Sequence, residues 1–165
     1  MSSRKAKGDL AELKVACDLV ERGYRIAIPF GEDADYDLVL LRGEKIERVQ
    51  VKYSTSKNGV VPVKCTSDSL TNGKVRQTKR YTAKMIDWLA IYDSTTDRCF
   101  YINAAELGEG KTMLHLRLVP TRNGQSLGIR YAEDYCDPEV RSETLMEPAG
   151  LEPATSALQT PRSPN

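Results

Sequence analysis

The sequence contains no apolar run that approaches the length of a membrane span, so we expect no membrane association. Its basic first ten residues are followed by no apolar core of a secretory signal, which predicts a cytoplasmic protein. The four cysteines are far apart, form no C-x-x-C pair and are accompanied by one histidine, His115. A zinc site is therefore not expected, and the pattern is typical of reduced thiols in a cytoplasm.

Size and composition predict one globular domain. The chain has 165 residues, of which 40% are hydrophobic and 28% charged, the usual range for a soluble protein with one core. We expect this domain to span residues 1–145. Residues 146–165 hold four of the eight prolines and show no apolar periodicity, which predicts a disordered tail.

The net charge of +1 conceals an uneven distribution of charge along the chain. Residues 57–84, here called the basic segment, contain seven bases and one acid, Asp68, and so carry a charge of +6. Such a block predicts contact with a polyanion, usually a nucleic acid, although a solvated basic surface is the alternative. The seven bases are Lys57, Lys64, Lys74, Arg76, Lys79, Arg80 and Lys84.

The apolar pattern predicts a helix over residues 7–22, ended by Gly23. Glu12 falls on the apolar side of this helix, where a carboxylate is costly unless a cation or hydrogen bonds meet it. Two interpretations of Glu12 remain open: an ion pair with an interior lysine, or a ligand of a metal or water at the edge of a site.

The remaining elements predict an α/β fold with a mixed sheet. A second helix is expected around residues 76–84, and a short one at 103–107. The expected strands are residues 24–30, 36–41, 46–53, 87–92, 98–102 and 115–119.

Two of these strands form a predicted hairpin around Gly43 and Glu44, since glycine at the first central position suits a type II′ turn. Paired residue numbers then sum to 87, which sets Asp37 opposite Gln50 and Lys52 opposite Asp35. Because side chains alternate along a strand, Asp37, Gln50 and Lys52 share one face. The other face forms the core side and holds Leu38, Leu40, Val49, Val51 and Tyr53.

These polar residues have the chemistry for cleaving a phosphodiester. Asp37 and the Gln50 amide supply the hard oxygen ligands that Mg²⁺ prefers, and Lys52 can donate to an anionic oxygen. Glu12 could orient a water or support the metal. The alternative is structural: an Asp35–Lys52 ion pair, with Asp37 and Gln50 simply solvated.

Glu12 on the first helix, Asp37 in one strand and Gln50-Val51-Lys52 in the next resemble the PD-(D/E)XK nuclease superfamily. Gln50 stands where that motif has an acid, and Tyr36 stands where it has proline. With a glutamine at this place, the sequence resembles the PD-(D/E)XK homing endonucleases of bacterial group I introns over roughly residues 5–105. No LAGLIDADG, GIY-YIG or HNH pattern is present.

The resemblance implies a restriction-endonuclease-like core and Mg²⁺-dependent cleavage of double-stranded DNA, with Mn²⁺ able to substitute. It implies that Asp37, Gln50, the Val51 backbone carbonyl and Glu12 hold the metal and that Lys52 acts at the phosphate. It also implies a homodimer or homotetramer, in a bacterial cytoplasm beside the nucleoid. The bases of the basic segment would then contact DNA phosphates.

Three rival functions stay open at this point. One is a Holliday-junction resolvase-like or repair nuclease, another is a DNA-binding module without catalysis, and the third is an RNA-processing nuclease. The loss of an acid at Gln50 is the main support for the second. Two stretches of the tail, LEPAT and RSPN, resemble the reverse-strand translation of a tRNA gene. A generic proline-rich tail explains these residues equally well.

Overall fold

The computed structural model describes residues 3–31, 34–71, 74–109, 111–121, 124 and 127–138, so the predicted tail and the end of the predicted domain lie outside it. Its helix and first strands are α1 (Arg4–Glu21), β1 (Arg25–Ala27), β2 (Leu38–Arg42), β3 (Lys45–Ser54) and β4 (Val60–Lys64). These are followed by β5 (Thr66–Thr71), β6 (Lys74–Arg80), β7 (Trp88–Asp93), β8 (Arg98–Asn103), β9 (Met113–Arg117) and β10 (Arg130–Tyr131). Short 3₁₀ turns follow β8 and β10, at Ala104–Leu107 and Ala132–Tyr135.

The helix α1 begins at a serine cap and confirms the predicted helix, with a start three residues earlier. Ser3 Oγ accepts a hydrogen bond from the backbone N–H of Ala6 at 3.2 Å, which satisfies one of the free donors of the first turn. Gly23, at φ +86°, takes the left-handed conformation that follows the end of the helix. Ala11, Val15 and Leu19 are buried beneath it.

The apolar residues of α1 divide between two opposite faces, a division that the sequence pattern did not predict. The face turned away from the core carries Leu10, Leu13 and Val20, which are 41%, 69% and 55% exposed, together with the exposed Cys17. These residues follow a 3-4-3 spacing and form one stripe along the helix, here called the outer stripe.

The central sheet has five strands in the order β1-β2-β3-β7-β8 and is mixed, as predicted, because β3 and β7 run parallel while the other pairs are antiparallel. The predicted hairpin register is confirmed, with Leu38 opposite Val49 and Arg42 opposite Lys45. Gly43 occupies the turn at φ +58°, a conformation that glycine adopts without strain.

Two apolar clusters cover the two faces of this sheet. One packs α1 against the predicted core face of the hairpin, where Leu38, Leu40, Val49 and Val51 are all buried. The other packs the small sheet β10-β9-β4 against the opposite face of β7 and β8. By strand alternation, Gln50 and Lys52 lie on that opposite face.

Several predicted elements differ from the observed ones. The second helix at 76–84 is wrong: residues 74–80 form β6, which pairs antiparallel with β5 in a hairpin, here called the basic hairpin. This segment has no helical apolar stripe, so cross-strand pairing decides its structure. The strand expected at 24–30 is the shorter β1, and the one expected at 115–119 is β9, two residues earlier. No helix within the described residues is long and apolar enough to cross a membrane.

Candidate active site

Asp37 lies immediately before β2 and forms three hydrogen bonds with residues of β3. Its backbone N–H donates to the carbonyl of Val49 at 2.9 Å. Its Oδ2 atom accepts from the backbone N–H of Val51 at 2.8 Å and from the side-chain amide of Gln50. The structure therefore brings Asp37 and Gln50 into contact, as the predicted register requires.

Gln50 is nearly buried, at 8% exposed, and its amide nitrogen has two acceptors. Besides the Asp37 carboxylate, Gln50 Nε2 donates to the carbonyl of Val51 at 3.2 Å. The amide thus turns its donor end to the carboxylate. A rotation of 180° about its last bond would present the oxygen instead, and this is the orientation that a cation requires.

Lys52 is half-buried and reaches a partner that the sequence did not indicate. Its Nζ donates to the hydroxyl of Tyr81 at 3.0 Å and lies 4.9 Å from the centroid of that ring. The predicted position of Asp35 opposite Lys52 is wrong, because the β2–β3 ladder begins at Leu38 and leaves Asp35 outside it. Asp35 forms an ion pair with Lys79 instead.

Glu12 occupies the middle of α1, is half-buried, and has no ion pair with any residue that the structure describes. Burial raises the pKa of its carboxyl, and the charge of Asp37 raises it further, as does that of Asp9. The contribution of the Asp37 charge links Glu12 electrostatically to Asp37. Glu12, Asp37, Gln50 and Lys52 are here called the Asp37 cluster.

The electrostatics of the Asp37 cluster favour a cation. Burial raises the pKa of Asp37, and this effect outweighs the opposing contributions of the Val51 N–H, the Lys52 charge and the Gln50 amide. Two neighbouring carboxyls, Asp37 and Glu12, therefore both resist ionisation. A bound cation would offset both the burial cost and the repulsion.

The basic hairpin adjoins this cluster through two contacts at its end. Lys79, on β6, pairs with Asp35 just before Asp37, and Tyr81 follows β6 and holds Lys52.

Lys64 pairs with Asp68, and this hydrogen bond, followed by that from Thr78, lowers the pKa of Asp68. Five of the seven bases of the basic segment have described side chains, and all five are exposed: Lys57, Lys64, Lys79, Arg80 and Lys84. For Lys74 and Arg76 the structure describes the backbone of β6 alone.

One further cation lies on the edge of a cavity near the hairpin. Lys7 sits 5.4 Å from the ring centroid of Tyr53, and both line a shallow cavity of about 280 Å³ with Lys64. Tyr53 continues β3 directly after Lys52. The charge count of the basic segment missed Lys7, because it belongs to α1 in sequence and joins Lys64 only through the fold.

A sequence model of the PD-(D/E)XK endonuclease family matches residues 2–138, which include the whole Asp37 cluster. The chain belongs to the PD-(D/E)XK endonuclease family. It is therefore a nuclease, a hydrolase of phosphodiester bonds. Its fold is similar to that of the bacterial homing endonuclease I-Ssp6803I, with a TM-score of 0.67 and 20% identity over 90% of this chain and 100% of that one. None of the curated proteins compared with the sequence matches it.

PD-(D/E)XK nucleases generally use divalent metal ions, typically Mg²⁺, and the donors of the Asp37 cluster fit such an ion. Asp37 Oδ1 accepts no hydrogen bond from the described residues, and Glu12, the Gln50 amide and the Val51 carbonyl add three further oxygen donors, the type that Mg²⁺ and Mn²⁺ prefer. No group of three or more acidic, histidine or cysteine side chains in the described part of the chain could hold a metal. A metal held by the Asp37 cluster would therefore have two acids among its ligands, Asp37 and Glu12, with the Gln50 amide in place of a third.

Proposed function

We propose that this nuclease is a Mg²⁺-dependent, site-specific endonuclease of the homing type that cuts both strands of DNA. The observation that carries the proposal is the contact of Asp37 with Gln50, with Lys52 on the same sheet face and Glu12 within electrostatic reach. The similarity in fold to a protein described as a bacterial homing endonuclease supports the homing type. The enzyme would act on the chromosome, beside the nucleoid in a bacterial cytoplasm.

Each member of the Asp37 cluster has a proposed role. Asp37, the Gln50 amide oxygen and the Val51 carbonyl hold the ion, which when bound polarises the phosphate and makes water more acidic. Lys52 donates to the phosphate oxygen on which negative charge develops. Glu12 accepts a hydrogen bond from the attacking water and so orients it.

The exposed cations of the basic hairpin are proposed to hold the DNA backbone. Lys79 and Arg80 precede Tyr81 directly, so phosphates bound there would lie beside the Asp37 cluster. Such contacts give affinity and salt dependence rather than sequence readout. Lys7, at the neighbouring cavity, is a candidate for the same role.

A second copy of the chain is proposed to complete the enzyme, as a homodimer or homotetramer, because one active site cuts one strand. The outer stripe of α1 supports this, since its apolar side chains are exposed in the single chain. Leu13→Glu in the middle of the stripe should lower the molar mass measured by light scattering. Ile46→Glu, at another exposed apolar residue, is the control. A wild-type monomer at micromolar concentration would rule out the assembly.

The proposed function is tested on a DNA duplex in which the genomic flanks of the gene are joined without the insertion. We expect double-strand cutting at one site with MgCl₂ and none with EDTA. With MgCl₂, Asp37→Asn and Lys52→Ala should abolish cutting and keep binding, whereas Lys45→Ala, an exposed lysine on the same strand as Lys52, should cut normally. Binding without cutting by the folded wild type would leave a DNA-binding module, and preference for a branched junction would indicate a resolvase.

A further inference from the structure

One contact of the Asp37 cluster that no sequence motif indicates joins Lys52 to Tyr81. The Tyr81 hydroxyl accepts a hydrogen bond from the Lys52 ammonium at 3.0 Å, and the ring centroid lies 4.9 Å from the same nitrogen. Tyr81 is 4% exposed and belongs to the apolar cluster under β7 and β8. Its phenol is therefore a buried, rigid group with its polar end at the active site.

The backbone of Tyr81 is fixed as firmly as its side chain. Its N–H donates to the carbonyl of Cys65 at 3.1 Å, which closes the base of the basic hairpin between the residue before β5 and the residue after β6. Cys65 is itself fully buried. The phenol thus joins the base of a proposed DNA-contacting element to the ammonium of Lys52.

We propose that Tyr81 is a positioning residue of this nuclease: its hydroxyl holds the Lys52 ammonium beside Asp37, ready to meet the scissile phosphate. The inference rests on the proposed role of Lys52. It adds a residue that lies 29 positions further along the chain and that belongs to none of the motifs of the sequence.

The physical reason is the flexibility of a lysine side chain. A free lysine side chain has many conformations and loses entropy when it is fixed in one of them. The hydrogen bond to Tyr81 fixes the side chain before DNA binds, so less entropy is lost on binding. It occupies one of the three N–H donors of the ammonium. Two donors remain for the oxygens of a phosphate.

Tyr81→Phe tests the proposal, because it removes the hydroxyl and keeps the buried ring. Tyr135→Phe is the matched control: Tyr135 belongs to the same apolar cluster, is 1% exposed, and donates to Glu106 at 2.8 Å. We expect Tyr81→Phe to reduce the single-turnover cutting rate of the flank duplex about 10-fold, with its Kd for that duplex unchanged. Tyr135→Phe should cut at the wild-type rate.

The double variant separates positioning from a general structural role. In a Lys52→Ala background, assayed with MnCl₂ over long incubations so that residual cutting is measurable, Tyr81→Phe should cause no additional loss. An equal loss in both backgrounds would mean that the hydroxyl supports the fold and would overturn the inference. So would a Tyr135→Phe defect as large as that of Tyr81→Phe.

A measurement without catalysis distinguishes failure of this inference from failure of the proposed function. In the full-length, metal-free chain labelled with ¹³Cε-lysine, the NMR signal of Lys52 should shift in Tyr81→Phe and stay in place in Tyr135→Phe. If Lys52→Ala cuts like the wild type, the proposed role of Lys52 is refuted. If Lys52→Ala is inactive and Tyr81→Phe cuts like the wild type, the inference about Tyr81 alone is refuted.

Discussion

Replacing Gln50 by glutamate would restore the acid that the PD-(D/E)XK motif usually has at this place. The structure predicts that this variant is destabilised without metal and stabilised by Mg²⁺ more than the wild type is. Gln50 Nε2 now donates to the Asp37 carboxylate and to the Val51 carbonyl. In Gln50→Glu an oxygen replaces this nitrogen, so both hydrogen bonds are lost. The new carboxylate then faces a second carboxylate in a nearly buried position.

Without metal, Gln50→Glu should be strongly destabilised, because Lys52 is the cation whose charge is seen to act on Asp37 among the described residues and it already donates to Tyr81. Two like charges about 4 Å apart repel by about 4 kcal/mol at an effective dielectric constant of 20. Leaving a buried charge without its partner typically costs about 3 to 5 kcal/mol. We therefore expect the free energy of unfolding of metal-free Gln50→Glu to be lower by this amount at pH 8. For a domain of this size the melting temperature should fall by roughly 6 to 20 °C.

The pH dependence of this penalty follows from the carboxyl pair. Repulsion raises the pKa of the pair in the folded state above its value in the unfolded chain, so the folded variant loses stability as pH rises through that raised pKa. At pH 4.5 the introduced carboxyl, when protonated, can donate to Asp37 where the amide did before. The difference between Gln50→Glu and wild type should therefore largely disappear at that pH.

Thermal unfolding at pH 8 and pH 4.5, in EDTA and in MgCl₂, measures these effects. Mg²⁺ should raise the melting temperature of Gln50→Glu more than that of the wild type, because the ligand set gains a charge. Gln77→Glu makes the same change at an exposed glutamine of β6 and should shift stability by less than about 0.5 kcal/mol. If Gln50→Glu is as stable as the wild type in EDTA at pH 8, the amide does not donate to Asp37 and the reasoning fails.

Two further predictions concern the carboxyls and the basic hairpin. Since the pKa values of Asp37 and Glu12 are raised, the metal-free wild type should lose stability as pH rises above the ordinary carboxyl range, and Mg²⁺ should restore it at pH 8. Asp37→Asn should reduce this Mg²⁺-induced rise in melting temperature, and an undiminished rise would place the ion elsewhere. The double variant Lys79→Gln, Arg80→Gln should weaken DNA binding uniformly across sequences. Its log Kd against log salt slope should fall by about 2, and an unchanged slope would remove both residues from the interface.

The parts of the fold that the sequence predicted are those governed by local signals. Turn chemistry at Gly43 fixed the register of β2 and β3, and the apolar pattern with Gly23 defined α1. The basic hairpin was missed, although Asn72-Gly73, a dipeptide that favours hairpins, lies between β5 and β6 in the sequence. The helix expected at residues 76–84 is wrong because this segment pairs with β5, and its many charged residues do not distinguish a strand from a helix.

The same distinction applies to the candidate site. The contact of Asp37 with Gln50 follows from the hairpin register, and the half-buried position of Glu12 follows from the helical pattern. The contact of Lys52 with Tyr81 depends on how the basic hairpin packs against the central sheet, which no local pattern encodes. The sequence therefore predicted the site residues of α1 and of the β2–β3 hairpin, and it missed Tyr81, which the basic hairpin contributes.

A neighbouring ion pair, between Arg48 of β3 and Asp87 just before β7, shows what distinguishes the site from ordinary structure. Arg48, two residues before Gln50, donates from its backbone and guanidinium to both oxygens of Asp87, and these hydrogen bonds lower the pKa of Asp87 although burial alone would raise it. Asp37 has fewer donors, and burial keeps its pKa raised. Asp37 Oδ1 and two N–H groups of Lys52 are left without partners among the described residues. Both side chains are only partly buried, so this bonding capacity is open to a ligand, and a metal ion and a phosphate are the ligands that would use it.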